Sequence, residues 1–131
     1  MIETLLFSWA FTSATCVYLY IIHKLNENKD KSKNLTMSLI NKWQDKLQLT
    51  GWKFPTQEMT PEQVVYSDDC PDEDKYFVGI EIDKHNKVGT IHHDIELTEQ
   101  YIIHELLHVK YPNKSEDWVN EVEELITTIS R

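Results

Sequence analysis

The stretch YIIHELLHVKYP, Tyr101 to Pro112, sets two histidines four residues apart with a glutamate directly after the first. On a helix, positions four apart lie nearly above one another. His104 and His108 can therefore aim their imidazoles at one point, at the ~2.0–2.1 Å distance that zinc requires. Glu105 falls about 100° further round the helix, close enough to reach a metal-bound water without being forced into the coordination shell. Zinc lowers the pKa of its water toward ~7, and such a carboxylate can take the proton during attack on a polarised carbonyl and pass it to the leaving amine.

A five-residue pattern is suggestive only, and its flanks sharpen it. Ile102, Ile103, Leu106, Leu107 and Val109 supply apolar faces that bury such a helix, whereas a solvated stripe would be polar around its histidines. An open catalytic zinc takes three protein ligands, so the third must come from elsewhere in the chain. The segment after Ser115 offers Glu121, Glu123 and Glu124. Its apolar stripe is Trp118, Val119, Val122, Leu125, Ile126 and Ile129; Glu124 points almost away from it, while Glu121 and Glu123 border it on opposite sides. Periodicity excludes Glu124 and leaves the other two open.

These side chains need elements to position them. Thr98 with Glu99 just inside reads as a helix start and Pro112 as its end; Ser115 followed by Glu116 and Asp117 starts a second helix, with acids where the helix dipole favours them. Between Trp52 and Asp94 the pattern shortens to WKFPTQEM, EQVVYS, YFVGIEID and KVGTIHHD, separated by turn residues. This predicts a small, mainly antiparallel sheet, with Tyr76–Asp83 and Lys87–His92 paired through the His85-Asn86 turn. Upstream, Leu35, Leu39, Ile40, Trp43 and Leu47 repeat at helical spacing up to the Thr50-Gly51 break, which predicts an amphipathic backing helix.

The beginning of the chain has another character. Thr4 to Ile22 carries no charge over about 19 residues, nearly the ~30 Å of a bilayer's hydrocarbon core, and predicts a transmembrane anchor over 1–23. Ser8, Thr12, Ser13 and Thr15 dilute it, and a cleaved signal peptide (hence secretion) or a buried or interfacial helix are the alternatives. Lys24, Lys29, Lys31 and Lys33 follow the run and no basic residue precedes it, so the positive-inside rule places the C-terminal domain in the cytoplasm. Residues 24–34, Lys/Asn-rich, read as a polar linker.

The formal charge of −9, from 22 acidic against 13 basic side chains, repels phosphate backbones and argues against a nucleic-acid partner. Cys16 and Cys70 form no metal-type spacing and no disulfide framework. The acidic run Ser67–Lys75 lacks the ordered ligands and turn glycine of a calcium loop and reads as solvated.

HELLH followed by WVNEVEEL resembles the gluzincin metallopeptidases, most closely the very small minigluzincins. The resemblance covers about Leu35 to Arg131. It implies an α+β, zincin-like domain over 35–131: a backing helix, a small sheet, an active-site helix and a glutamate helix. It also implies one zinc held by His104, His108 and Glu121, because Asn120-Glu121 matches the family's Asn-Glu pair, with Glu105 as general base and acid. In such enzymes the strand before the active-site helix aligns an extended substrate; Val88–His92 holds that place in the sequence. His92 and His93 face opposite ways on a strand, so at most one is expected to point at the cleft and each reads first as a surface residue; with Tyr66 and Tyr111 they are the candidate oxyanion donors. Some minigluzincins look like zymogens closed by a C-terminal tail, and a chain ending directly after the glutamate helix is not expected to use that device.

The expected function is a zinc-dependent metallopeptidase, an endopeptidase acting on peptide or protein substrates. The competing expectations are a latent or structural zinc-stabilised interaction module at the membrane, a hydrolase of other bonds, and a partner-binding protein whose motif is accidental.

Overall fold

The computed structural model describes residues 2–63 and 76–130, with the side chains of the first helix from Thr15 onward. In chain order the elements are helix α1 (Ile2–Lys46), strand β1 (Thr56–Glu58), a 3-10 turn (Pro61–Gln63), strands β2 (Val78–Asp83) and β3 (Val88–His93), and helices α2 (Glu99–Lys110) and α3 (Glu116–Ile129). The chain divides into two compact units, 1–35 and 36–131. The architecture is α+β.

The N-terminal membrane helix expected over 1–23 is corrected. Among the described residues no helix is long and apolar enough to cross a membrane. The hydroxyls of Ser8, Thr12, Ser13 and Thr15 lower the mean hydropathy of the run, and beyond Ile22 the same helix becomes charged. The polar linker expected over 24–34 is likewise helical. No Pro or Gly occurs before Gly51 to break the helix, and Glu27 accepts from Lys24 and Lys31, each at 3.5 Å, one turn away on either side.

In the second unit, α1 stops where the backing helix was expected to stop. Gln48 takes a left-handed φ of 56°, and Leu49 N–H donates to Gln44 C=O at 2.9 Å, the wrapped ending that satisfies the last helical carbonyls. The Gln44 amide donates to the carbonyls of Leu49 (3.0 Å) and Trp52 (2.7 Å), leading the chain into the sheet.

The sheet order is β1-β3-β2. β2 and β3 pair antiparallel from Val78↔His93 to Asp83↔Val88, as expected, whereas β1 is parallel to β3, from Thr56↔Ile91 to Glu58↔His93. The hairpin turns through Lys84–Lys87, where Asp83 accepts from the Asn86 backbone and side chain and Lys87 takes a φ of 55°. Of the expected EQVVYS strand, Glu62 and Gln63 lie in the 3-10 turn and the rest lies outside the described residues, as do the acidic run 67–75, Cys70 and Tyr66.

One core joins these pieces. Ile40 and Trp43 of α1, Leu49, Phe54, Ile91 of β3, Leu97, five apolar residues of α2 and Val119 of α3 are all buried. Gly89 sits where β3 meets this core: a Cβ there would lie 2.9 Å from both Ile80 and Phe54 side-chain atoms, so the strand needs glycine to pack. Leu35, expected in the apolar stripe of α1, is exposed.

Candidate metal centre

α2 carries the histidines. Thr98 caps it by accepting from Tyr101 N–H at 3.3 Å, and Ile102, Ile103, Leu106, Leu107 and Val109 seat it in the core. Glu99, in its first turn, accepts from Lys42 Nζ and Trp43 Nε1, both at 2.7 Å, tying α2 to the end of α1. The Lys42 hydrogen bond, then that of Trp43, hold the Glu99 carboxyl below its ordinary range. With the helix fixed on these sides, His104 and His108 emerge on the remaining face, partly buried.

A short connection turns the chain back into α3, so the first turn of α3 lies over the last turns of α2. Ser115 caps α3 by accepting from Trp118 N–H at 3.2 Å, and Tyr111 packs edge-on to Trp118 with centroids 5.1 Å apart, closing the hairpin. Val119, fully buried, and Glu123, 8% exposed, are the buried residues of α3. They lie four apart, on the ridge that faces α2.

This hairpin decides which carboxylates meet the histidines. Glu116 reaches both: Oε1 lies 2.7 Å from His104 Nε2 and Oε2 lies 3.0 Å from His108 Nε2, while the two Nε2 atoms are 3.2 Å apart. Glu123 Oε2 accepts from His104 Nδ1 at 3.0 Å. Glu121 is exposed and, among the described residues, lies outside the His104, His108 and Glu116 group whose ligand atoms approach one another closely enough for one ion. Asn120 does line the cleft beside the histidines. In the sequence, periodicity leaves Glu123 open and Glu116 reads only as a first-turn acid. Its signal lay in the spacing: Glu116, Val119 and Glu123 fall on one ridge, which the short hairpin turns toward His108.

The donor set fits zinc on chemical grounds. Two imidazoles and a carboxylate form a His2Glu set, and ligand atoms around a tetrahedral zinc would stand about 3.3 Å apart, close to the separations here. A carboxylate acceptor on Nδ1 keeps the proton of neutral His104 on that nitrogen, leaving the lone pair of Nε2 toward His108 and Glu116. A lone pair and a carboxylate oxygen at 2.7 Å repel unless a cation lies between them, either a proton or a metal ion. Burial is the strongest single influence on His104 and opposes its charge, yet the Glu123 hydrogen bond and the charges of Glu105, Glu116 and Glu123 together raise its pKa.

Glu105, 6% exposed, is seated among the apolar residues of α2. Burial pushes its carboxyl up to about 7, with His104 pulling down and Glu116 and Glu123 adding to the rise. A carboxyl poised there can both accept and return a proton near neutrality.

Two pockets meet at this point, one of about 520 Å³ and one of about 400 Å³; His104, Glu105, Glu116 and Val78 border both. The sheet edge beside them is β2. β3, expected to align a substrate, is the central strand and is paired on both sides. Gly89 and Ile91 donate to Lys53 and Pro55, and His93 accepts from Met59, so alternate residues Val88, Thr90 and His92 face β2. In this register Gly79, Glu81 and Asp83 bond back to β3. Val78, Ile80 and Ile82 then turn their peptide groups toward the edge that, among the described residues, has no strand partner.

Among the described residues, the candidate oxyanion donors lie elsewhere. His92 pairs with Glu81 at 3.1 Å on the outer sheet face, His93 Nδ1 donates to Ile95 C=O at 2.7 Å, and Tyr111 packs on Trp118. Hydroxyl-bearing residues on the wall of the larger pocket are Tyr76, Thr98 and Tyr101, the two tyrosine rings packing 5.8 Å apart. Burial, followed by the neighbouring Tyr76, raises the pKa of Tyr101, so it stays a neutral donor.

Comparison of the chain with protein-family models, with curated proteins and with solved structures gives no match.

Proposed function

We propose that the protein is a zinc-dependent peptidase of gluzincin type, in which His104, His108 and Glu116 hold one zinc ion and Glu105 is the general base and acid. The observation that carries this reading is the convergence of His104 Nε2, His108 Nε2 and both Glu116 oxygens on one point, beside a buried glutamate and a cleft. A zinc ion there would supply Lewis-acid polarisation of a carbonyl and a more acidic water.

The protein's own groups supply the rest. Glu123 holds the His104 ring in orientation and tautomer. The outward peptide groups of Val78, Ile80 and Ile82 would pair with an extended substrate, replacing the β3 alignment expected from chain order. Glu105 accepts a proton from water as the water oxygen bonds to the carbonyl carbon, then delivers it to the amine nitrogen as the C–N bond breaks. Its burial excludes bulk water from that transfer.

The test is zinc content and peptide cleavage on the full chain, with Glu116→Gln, Glu121→Gln and Glu105→Gln. The proposal expects one zinc per chain, weakened binding in Glu116→Gln, none of that loss in Glu121→Gln, and zinc without turnover in Glu105→Gln. Zinc in a parent that cleaves nothing would make the centre structural; absence of zinc would reduce HELLH to a packed helix.

A further inference from the structure

Far from the histidines in sequence, α1 holds the longest run of exposed large apolar side chains among the described residues, Val17 to Ile22, with Leu25 just beyond it. At about 100° per residue, Val17, Tyr18, Ile21 and Leu25 fall within roughly 100° of arc and make a short stripe. Lys29 and Lys33 border that stripe on the side of Ile22, and Lys24 and Lys31 border it on the other. The acids Glu27 and Asp30 lie behind, with Asn26 and Asn34. Leu19 and Tyr20 stand off the stripe, and Lys24 Nζ lies 5.9 Å from the centroid of the Tyr20 ring. These four lysines are all the basic side chains of residues 1–35, whereas the acidic excess of the chain lies beyond them.

We propose that this face of α1 is a docking surface for an anionic membrane, on which the helix lies in the plane of the headgroups without crossing. An apolar stripe with lysines along both borders and its acids turned away fits a flat, negatively charged surface with an oily interior. Val17, Ile21 and Leu25 enter the acyl boundary, while the Tyr18 hydroxyl stays at headgroup level. The lysine stems run beside the stripe and set their ammonium groups among lipid phosphates. Glu27 holds Lys24 and Lys31 at 3.5 Å each, exposed pairs weak enough to yield to those phosphates.

Composition agrees with lying on the surface, since among the described residues no helix is long and apolar enough to cross. A second copy is a poorer occupant. Two such stripes paired as a parallel coiled coil set Lys24 of one chain against Lys29 of the other, like charges along both flanks of the seam. A neutral apolar partner leaves the lysine rows unanswered.

The experiment is co-sedimentation of the full chain with vesicles of phosphatidylcholine alone and of phosphatidylcholine with about one-third phosphatidylserine. The parent should bind the phosphatidylserine vesicles about tenfold or more better than the neutral ones. Most of that binding should be lost at about 1 M salt, where the screening length falls to ~3 Å. Lys24→Gln with Lys29→Gln should weaken binding by about tenfold, and so should Ile21→Ser with Leu25→Ser, helix content being checked by circular dichroism. Asp30→Asn, on the back of the helix and a screening length further from the headgroups, should change it by about twofold at most. No binding to either vesicle, equal binding to both, or retention through an alkaline carbonate wash, as an embedded helix shows, would overturn the proposal. A dimer that Ile21→Ser with Leu25→Ser dissociates, in a chain that ignores vesicles, would give the face to a second copy instead.

Discussion

Two apolar helical runs of this chain meet opposite fates. In α1, Val17, Tyr18, Leu19, Tyr20, Ile21 and Ile22 are consecutive and all exposed, from 39% to 65%. In α2, Ile102, Ile103, Leu106, Leu107 and Val109 are buried to 7% or less. Both runs are rich in large apolar residues, so the residue types alone do not say which is buried. α2 has neighbours within its own unit, the sheet and α3, while along the α1 run Lys24 pairs with Glu27 and stands over the Tyr20 ring within the helix. Burial belongs to what surrounds a helix, and packing around a buried helix locks the side chains it carries.

On the proposed peptidase reading, the sharpest break between the two regions is catalytic. Replacing Glu105 with Gln should lower turnover by about a thousandfold or more while zinc content stays at the parent level, because the amide keeps the shape and loses the proton acceptor. Peptide hydrolysis and metal analysis on the same sample check it. A matched pair of truncations tests burial itself. Leu106→Ala should cost about 2–5 kcal/mol in denaturant unfolding, as buried leucines do. Leu19→Ala, at an exposed site, should fall within about 0.5 kcal/mol of the parent.

Glu123→Gln refines the picture at the proposed metal site. It removes the charge that fixes the His104 tautomer while keeping the shape, and should weaken zinc affinity by about 10–100-fold, read by competition with a chelator. The smallest effect concerns how α2 is seated. Glu99 has a lowered carboxyl pKa in the folded chain, so its contribution is present above the ordinary carboxylate pKa and is lost as pH falls through the lowered value. Thermal unfolding of the parent should therefore decline more steeply below about pH 4.5 than that of Glu99→Gln, by less than about 1 kcal/mol because the pair is solvent-exposed.

Much of the centre was legible without coordinates. HELLH announces two imidazoles on one helix face because helix periodicity is a property of the backbone, and Thr98 and Ser115 mark both helix starts by a purely local hydrogen bond. The β2–β3 hairpin follows from its alternation and the Asp83–Asn86 turn. The third carboxylate was not legible in the same way. Glu121 and Glu123 are equivalent in periodicity, Glu116 looked like a dipole acid, and the Asn120-Glu121 pair pointed to a side chain that faces solvent.

By itself, then, the order of residues determined the helices of the centre, their caps, the paired histidines with their glutamate, and the hairpin, since each rests on groups a few residues apart. The tertiary structure alone decided that Glu116 and Glu123 meet the histidines, that β3 is paired on both sides while β2, among the described residues, is an edge strand, and that 24–34 continues a helix. Those outcomes depend on how the α2–α3 connection turns, on a parallel β1 closing one edge of β3, and on which faces find neighbours. Such contacts join residues distant in sequence, and no local periodicity encodes them.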